Sequence, residues 1–138
     1  ELIHTDPCKA EDEKSRDAIK LAIEWTNKQL NGLKLGRFAM DIHTHYQISN
    51  RFAWSWKLAS LGVPVVLIYL GFLHTTEMKK RILESHDDWV KIMRDYSKDL
   101  VPEQVWGGKL QTEKKAVYPL ICSMNIQPQG KIESINGN

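Results

Sequence analysis

The chain has 138 residues, of which 42% are hydrophobic, and this length and apolar content suit one domain with a real core rather than a disordered segment. Nineteen basic and seventeen acidic residues leave a net charge of +2. Charge alone therefore gives no indication of a nucleic-acid or membrane partner.

We expect a single α/β domain over residues 1–126 and a polar tail over residues 127–138. The chain lacks an initiating methionine, and Glu1 to His4 resembles the end of an element, so we expect it to be the C-terminal part of a larger domain. Cys8 and Cys122 lie far apart without a Cys-x-x-Cys motif, and we predict two free thiols in a reducing compartment.

The first predicted element is a helix. Asp12 or Ser15 can cap its start, and Asn31-Gly32 can end it with a left-handed residue. Its apolar residues recur at helical spacing and are Ala18, Ile19, Ala22, Trp25 and Leu30.

A second helix is predicted from Thr44 to Gly62, with Pro64 preventing its continuation. The residues of its apolar stripe are Ile48, Phe52, Trp56 and Ala59. Four polar side chains near its start are three or four positions apart, so a helix would place them on one sector of its surface. They are Tyr46, Gln47, Asn50 and Arg51. Trp54 lies on the polar side and is the one tryptophan that we expect to face a partner.

A strand is predicted at Val65 to Leu70, and its lack of polar alternation indicates cover on both faces, as in a mixed sheet flanked by helices. The apolar run from Val63 to Leu73 is shorter than the roughly 20 residues that a bilayer-spanning helix needs. We therefore predict a cytoplasmic protein without a membrane partner.

A third helix is indicated by the capping pair Ser85-x-x-Asp88, and Pro102 marks its limit. Its apolar face would comprise Trp89, Ile92, Met93, Tyr96 and Leu100. The last predicted strand, Ala116 to Ile126, contains Pro119, which cannot donate to a ladder and predicts an edge position.

Two short motifs match metal chemistry, and we interpret both as structural. Asp41-Ile42-His43-Thr44-His45 resembles the opening signature of the amidohydrolase superfamily, but that family needs a barrel of about 250 residues. Glu77-Met78-Lys79 and Glu113-Lys114-Lys115 fit the Glu-x-Lys pattern of metal-dependent nucleases, yet about one such match is expected by chance and both lie in predicted polar loops. We predict no metal site in this chain.

A longer succession of motifs carries a family resemblance. It comprises Tyr46-Gln47-x-x-Asn50-Arg51-x-Ala53, Leu61-Gly62-Val63-Pro64, the strand Val66 to Phe72, and Asp88-Trp89. These motifs resemble a group of uncharacterised bacterial proteins related to the PD-(D/E)XK nuclease superfamily, and the resemblance covers most of the chain up to about Trp106. It implies a partial restriction-endonuclease-like α/β core.

The resemblance also implies roles for the polar residues of the second helix. Gln47, with Tyr46 beside it, would lie near the metal and the scissile phosphate as a catalytic residue, while Asn50 and Arg51 would bind the phosphate backbone of a nucleic acid. The superfamily's Glu-x-Lys strand and earlier carboxylate would precede Glu1. Mg²⁺ is therefore expected only together with those upstream residues, and this chain alone is expected to be inactive.

Two other interpretations stay open. The four polar residues could form a structural network that satisfies buried loop carbonyls and a carboxylate such as Glu24 or Asp41. The chain could also be a non-catalytic binding or interaction domain on a degenerate nuclease fold. A Glu-x-Lys strand encoded upstream of Glu1 would favour the enzyme.

Overall fold

A computed structural model describes residues 6–75 and 82–125 of the chain. Its helices are α1 (Glu13–Asn31), α2 (Tyr46–Leu61) and α3 (His86–Ser97), and its strands are β1 (Val65–Leu73), β2 (Leu110–Gln111) and β3 (Ala116–Asn125), with one 3₁₀ turn at Glu103–Val105. Helices α2 and α3 pack on one face of the sheet, and α1 packs against α2. The architecture is mixed α/β, as predicted.

The three strands form one mixed sheet in the order β1-β3-β2. Strand β1 runs parallel to β3, with Val65 opposite Val117, and β2 runs antiparallel to β3. The prediction that the last strand lies at an edge is therefore wrong. The Pro119 carbonyl accepts from the Gly107 N–H, so the carbonyl and the nitrogen of this residue face away from β1. On that side the short β2 pairs only with Ala116 and Val117, and a proline without an N–H is therefore tolerated.

Strand β1 is buried on one face only. Its inward side chains are buried or half-buried, whereas Val66, Ile68, Leu70 and Phe72 are 39–57% exposed. The expectation of cover on both faces is therefore wrong for the part of the chain that the structure describes. A continuous apolar run gives a strand no periodicity, so the sequence could not indicate which face the helices would cover.

The three helices lie where predicted, but Gly32 ends α1 in the right-handed region with φ of −63°, so the expected left-handed stop is wrong. Asp12 caps α1 by accepting from the Ser15 N–H at 2.9 Å, and Gly62 ends α2 in the left-handed region with φ of 106°. Ser85 caps α3 through the Asp88 N–H. Helix α3 ends at Ser97, so the buried Leu100 lies beyond it rather than within its apolar face.

An extended segment between α1 and α2 is held by two asparagines of α1. Asn27 pairs with both backbone groups of Met40, and Asn31, one turn later, pairs with both backbone groups of Phe38. Phe38, Met40 and Ile42 are buried at every second position, as in a strand with one covered face. This segment leads directly into the start of α2.

Helix α3 docks on β1 through Trp89. Its indole N–H donates to the Tyr69 carbonyl at 3.0 Å, and its ring lies over Gly71, where a Cβ atom would come within 2.6 Å. Only glycine leaves room for so close an approach.

Other sequence predictions have plain outcomes. Cys8 is buried, Cys122 is half-buried, and both are free thiols. No helix among the described residues is both long and apolar enough to span a bilayer.

The Glu77-Met78-Lys79 motif and the predicted tail lie outside the described residues. Glu113-Lys114-Lys115 occupies the turn between β2 and β3, where the Thr112 hydroxyl accepts from the Lys114 and Lys115 N–H groups.

Candidate functional site

Helix α2 begins at Tyr46, so its first two turns carry all four of the predicted polar residues. This part of the prediction is confirmed. The residue before the helix, His45, makes no capping bond with its side chain. The first N–H groups of α2 bond instead to a distant residue.

That residue is Asp6. Its Oδ2 accepts from the Gln47 N–H at 2.9 Å, and its backbone carbonyl accepts from the Tyr46 N–H at 3.0 Å. The segment from Asp6 to Cys8 runs alongside residues 42–46, since the Asp6 N–H donates to Thr44 and the Cys8 N–H donates to Ile42. A carboxylate at a helix N-terminus satisfies free donors and complements the helix dipole.

Asp6 also reaches α3, because its Oδ1 accepts from the Tyr96 hydroxyl at 3.1 Å. Burial, with the Asp6 charge adding to it, raises the pKa of Tyr96 to about 12. Tyr96 is therefore a neutral hydrogen-bond donor at physiological pH. Its ring packs edge-on against the ring of His45, with centroids 4.6 Å apart.

Arg51 lies close to this arrangement. Burial raises the pKa of Tyr69 and of Tyr96, and the positive charge of Arg51 acts on both pKa values in the opposite direction. The arginine side chain is itself exposed. We define the polar patch as Asp6, His45, Arg51, Tyr69 and Tyr96.

Two members of the polar patch carry polar atoms that are buried without a partner among the described residues. These atoms are the Tyr69 hydroxyl and both ring nitrogens of His45. Tyr69 is only 8% exposed, and its ring packs edge-on against Trp106 at 5.4 Å. A buried polar group that lacks a partner costs about 1–3 kcal/mol.

The four predicted residues do not share one environment. Gln47 is exposed, and Asn50 lines a groove against α1. Tyr46 is half-buried, and burial, together with the neighbouring Cys8 thiol, raises its pKa. The expectation that Gln47 and Arg51 face a common cavity stays a prediction.

The Asp41-x-His-x-His motif forms a turn that leads into α2. Asp41 accepts from the N–H groups of His43 and Thr44 and from the Thr44 hydroxyl. Burial acts to raise the pKa of Asp41, but the bonds from Thr44 and His43 outweigh it and hold the pKa below its usual value. His43 is exposed, whereas the ring nitrogens of His45 are buried.

The family resemblance implies Mg²⁺, which proteins bind mainly through oxygen ligands such as carboxylates. Within residues 6–75 and 82–125, no three His, Cys, Asp or Glu side chains lie close enough together to hold a metal ion. Arg51 and Gln47 cannot replace carboxylates as the ligands of a hard cation. Among the described residues, this site therefore lacks a ligand cluster that could hold Mg²⁺ by itself.

Sequence reasoning missed Asp6, Tyr69 and Tyr96. Asp6 lies 41 residues before Gln47 and 90 before Tyr96, so no local spacing connects them. Tyr96 was assigned only to the apolar face of its helix. A signal for Tyr69 followed from the expectation of two covered faces, because a tyrosine in such a strand would bury its hydroxyl.

Comparison with known proteins adds no family assignment. No protein-family model matches the chain, and neither a curated protein nor a solved structure shows significant similarity to it.

Proposed function

We propose that this chain is the phosphate-binding part of a nuclease-like domain of the PD-(D/E)XK type, which cleaves phosphodiester bonds with Mg²⁺ in the full-length protein. The observation that carries the proposal is the position of Arg51. Its exposed guanidinium, near the start of α2, lies close to Tyr69 of β1 and Tyr96 of α3. The isolated chain would bind nucleic acid without cleaving it.

Arg51 suits a phosphate because its planar guanidinium is always charged and can donate two parallel hydrogen bonds. Tyr96 donates its one hydroxyl proton to Asp6, so it holds the start of α2 in place and leaves the phosphate to Arg51. Gln47 adds an exposed amide one helical turn before Arg51. This combination supports the binding of a phosphodiester backbone.

Among the described residues no three His, Cys, Asp or Glu side chains cluster as metal ligands, so in this proposal the ligands of the metal come mainly from elsewhere. In our proposal the Glu-x-Lys strand and its partner carboxylate come from sequence that precedes Glu1. Mg²⁺ held there would supply the hydroxide nucleophile and charge stabilisation, while Gln47 and Arg51 would orient and hold the phosphate.

The test is a cleavage assay on the full-length protein with DNA and RNA in Mg²⁺ or Mn²⁺. We expect Gln47→Ala to lower the rate at saturating substrate, and Arg51→Ala mainly to raise the KM. The 138-residue chain should show no cleavage. Cleavage by this chain that survives repurification and is abolished by EDTA would contradict the placement of the active site.

A specific observation favours a second candidate, a non-catalytic interaction domain. The outward face of β1 and β3 presents a strip of exposed apolar side chains, which are Val66, Ile68, Leu70, Phe72, Tyr118 and Met124. Parallel strands are ordinarily covered by helices on both faces. Soluble proteins rarely leave so continuous an apolar surface unless another element covers it.

The dimensions of this apolar strip fit one helix. Nine residues of strand extend for about 30 Å and two strands span about 10 Å, whereas a helix is about 10 to 12 Å wide with its side chains. The strip is therefore about as wide as a single helix. We therefore propose an amphipathic helix as the partner of this strip.

The two candidates predict different outcomes in the same assay. A full-length protein that contains no Glu-x-Lys strand, and that cleaves no tested DNA or RNA in Mg²⁺ or Mn²⁺, would support the interaction domain. Metal-dependent cleavage that Gln47→Ala impairs would support the nuclease.

A further inference from the structure

A groove of about 590 Å³ runs between α1 and α2, outside the polar patch. Trp25 and Trp54 both line it, and they are 42% and 62% exposed. The small side chains of Ala22 and Ala53 also line it and leave room between the two helices. A space of this size can hold a ligand as large as a nucleotide.

Polar groups stand beside these two indoles. The Lys57 ammonium lies 5.6 Å from the centre of the Trp25 ring, and the Asn50 side chain lines the same groove. An apolar core would need neither group. The groove therefore offers flat aromatic surfaces, one positive charge and one amide.

We propose that this groove binds unpaired bases of a single-stranded nucleic acid, with Trp54 as the principal stacking surface. The inference rests on the proposed function and deepens it by naming the form of the nucleic acid. Stacking on exposed aromatic rings is the common way in which proteins hold single strands, and it tolerates any base sequence. A duplex keeps its bases stacked on each other and cannot enter the groove.

The remaining groups complement this ligand. Lys57 would pair with the phosphate that adjoins a stacked base, which accounts for the positive charge beside the Trp25 ring. The Asn50 amide provides a donor and an acceptor for a base edge.

The experiment measures binding of the 138-residue chain to labelled oligo-deoxythymidine, and to the same strand paired with oligo-deoxyadenosine, by fluorescence anisotropy. We expect the single strand to bind more tightly than the duplex and to quench tryptophan fluorescence. Trp54→Ala should weaken single-strand binding by about tenfold, as expected for the loss of one stacked base, and Trp54→Phe should restore most of the affinity.

Leu61→Ala is the matched control, because Leu61 is 60% exposed on the same helix and does not line the groove. It should leave the affinity unchanged. Trp54→Ala should also unfold at the same urea concentration as the wild type, since it removes an exposed side chain. Lys57→Ala should lower the salt dependence of single-strand binding by about one phosphate contact.

Each contrary result has a distinct meaning. Equal affinity for the two oligonucleotides, with Trp54→Ala unchanged and Arg51→Ala weakened, would overturn the groove inference and leave the proposed function standing. Absence of binding to either oligonucleotide would overturn both. Loss of self-association in Trp54→Ala without a change in DNA affinity would identify the groove as a protein contact and would also overturn the inference.

Discussion

Asp6 joins three segments that are far apart in the sequence. Its carboxylate accepts from the first turn of α2 and from Tyr96 of α3, while its backbone pairs with residues 44 and 46. Helix α2 receives no cap from its own preceding side chain. The start of α2, where the proposed phosphate contacts lie, is therefore positioned by a residue forty positions upstream of the helix.

We predict that Asp6→Ala destabilises the protein by about 1–2 kcal/mol, because the Gln47 N–H loses its cap and the Tyr96 hydroxyl loses its acceptor. Urea denaturation followed by circular dichroism measures this change. Asp99→Ala, at an exposed turn residue, is the control and should change stability little. Equal unfolding midpoints for the two variants would contradict the capping role.

Asp41 gives a prediction about pH. Its pKa in the folded protein lies below the ordinary value of 3.8, so its bonds to Thr44 and His43 stabilise the fold fully above that value. This stabilisation is lost as the pH falls through the lower folded pKa. We expect the free energy of unfolding of Asp41→Asn to fall less steeply than that of the wild type below about pH 4. Identical pH profiles would contradict this role.

At the residue scale the sequence could place Tyr46, Gln47, Asn50 and Arg51 on one helix, because the glycine stop and the spacing are local signals. It could not find Asp6 as the cap of this helix or Tyr96 as a residue near Arg51. Their contacts depend on how α2 and α3 pack, and this is set by the whole chain rather than by any window of it.

The helices and strands show the same division between local and long-range information. The Asp12, Ser85 and Gly62 signals fixed the helix limits to within a few residues. The order of the strands was not predictable from Pro119, because a central strand tolerates proline where its neighbour ends. The covered face of β1 depended on where the helices pack.

The open face of β1 can be tested with two neighbouring residues. Ile68 is 53% exposed, whereas Leu67 packs against the core from the other face. We expect Ile68→Lys to change stability by less than about 0.5 kcal/mol and to reduce the binding of a hydrophobic dye. Leu67→Lys is the matched comparison and should cost more than about 2 kcal/mol, because it buries a charge. The reverse order of these costs would show that the opposite face is covered.

For the molecule as a whole, composition and element order were sufficient to predict a mixed α/β domain. The described residues form a two-layer arrangement, with an apolar strip on one side of the sheet and the polar patch on the other. In our proposal these features belong to one domain, in which this chain provides phosphate contacts and other sequence provides the metal ligands.

The central claim is that Arg51 is a phosphate contact, and the salt dependence of DNA binding by the 138-residue chain tests it most directly. The affinity should be measured by anisotropy from about 50 to about 200 mM NaCl for the wild type, for Arg51→Ala and for Arg37→Ala, which removes another exposed arginine. We expect Arg51→Ala to weaken binding and to reduce the slope of log affinity against log salt by about one, while Arg37→Ala keeps the wild-type slope. A wild-type slope and affinity for Arg51→Ala would contradict the central claim.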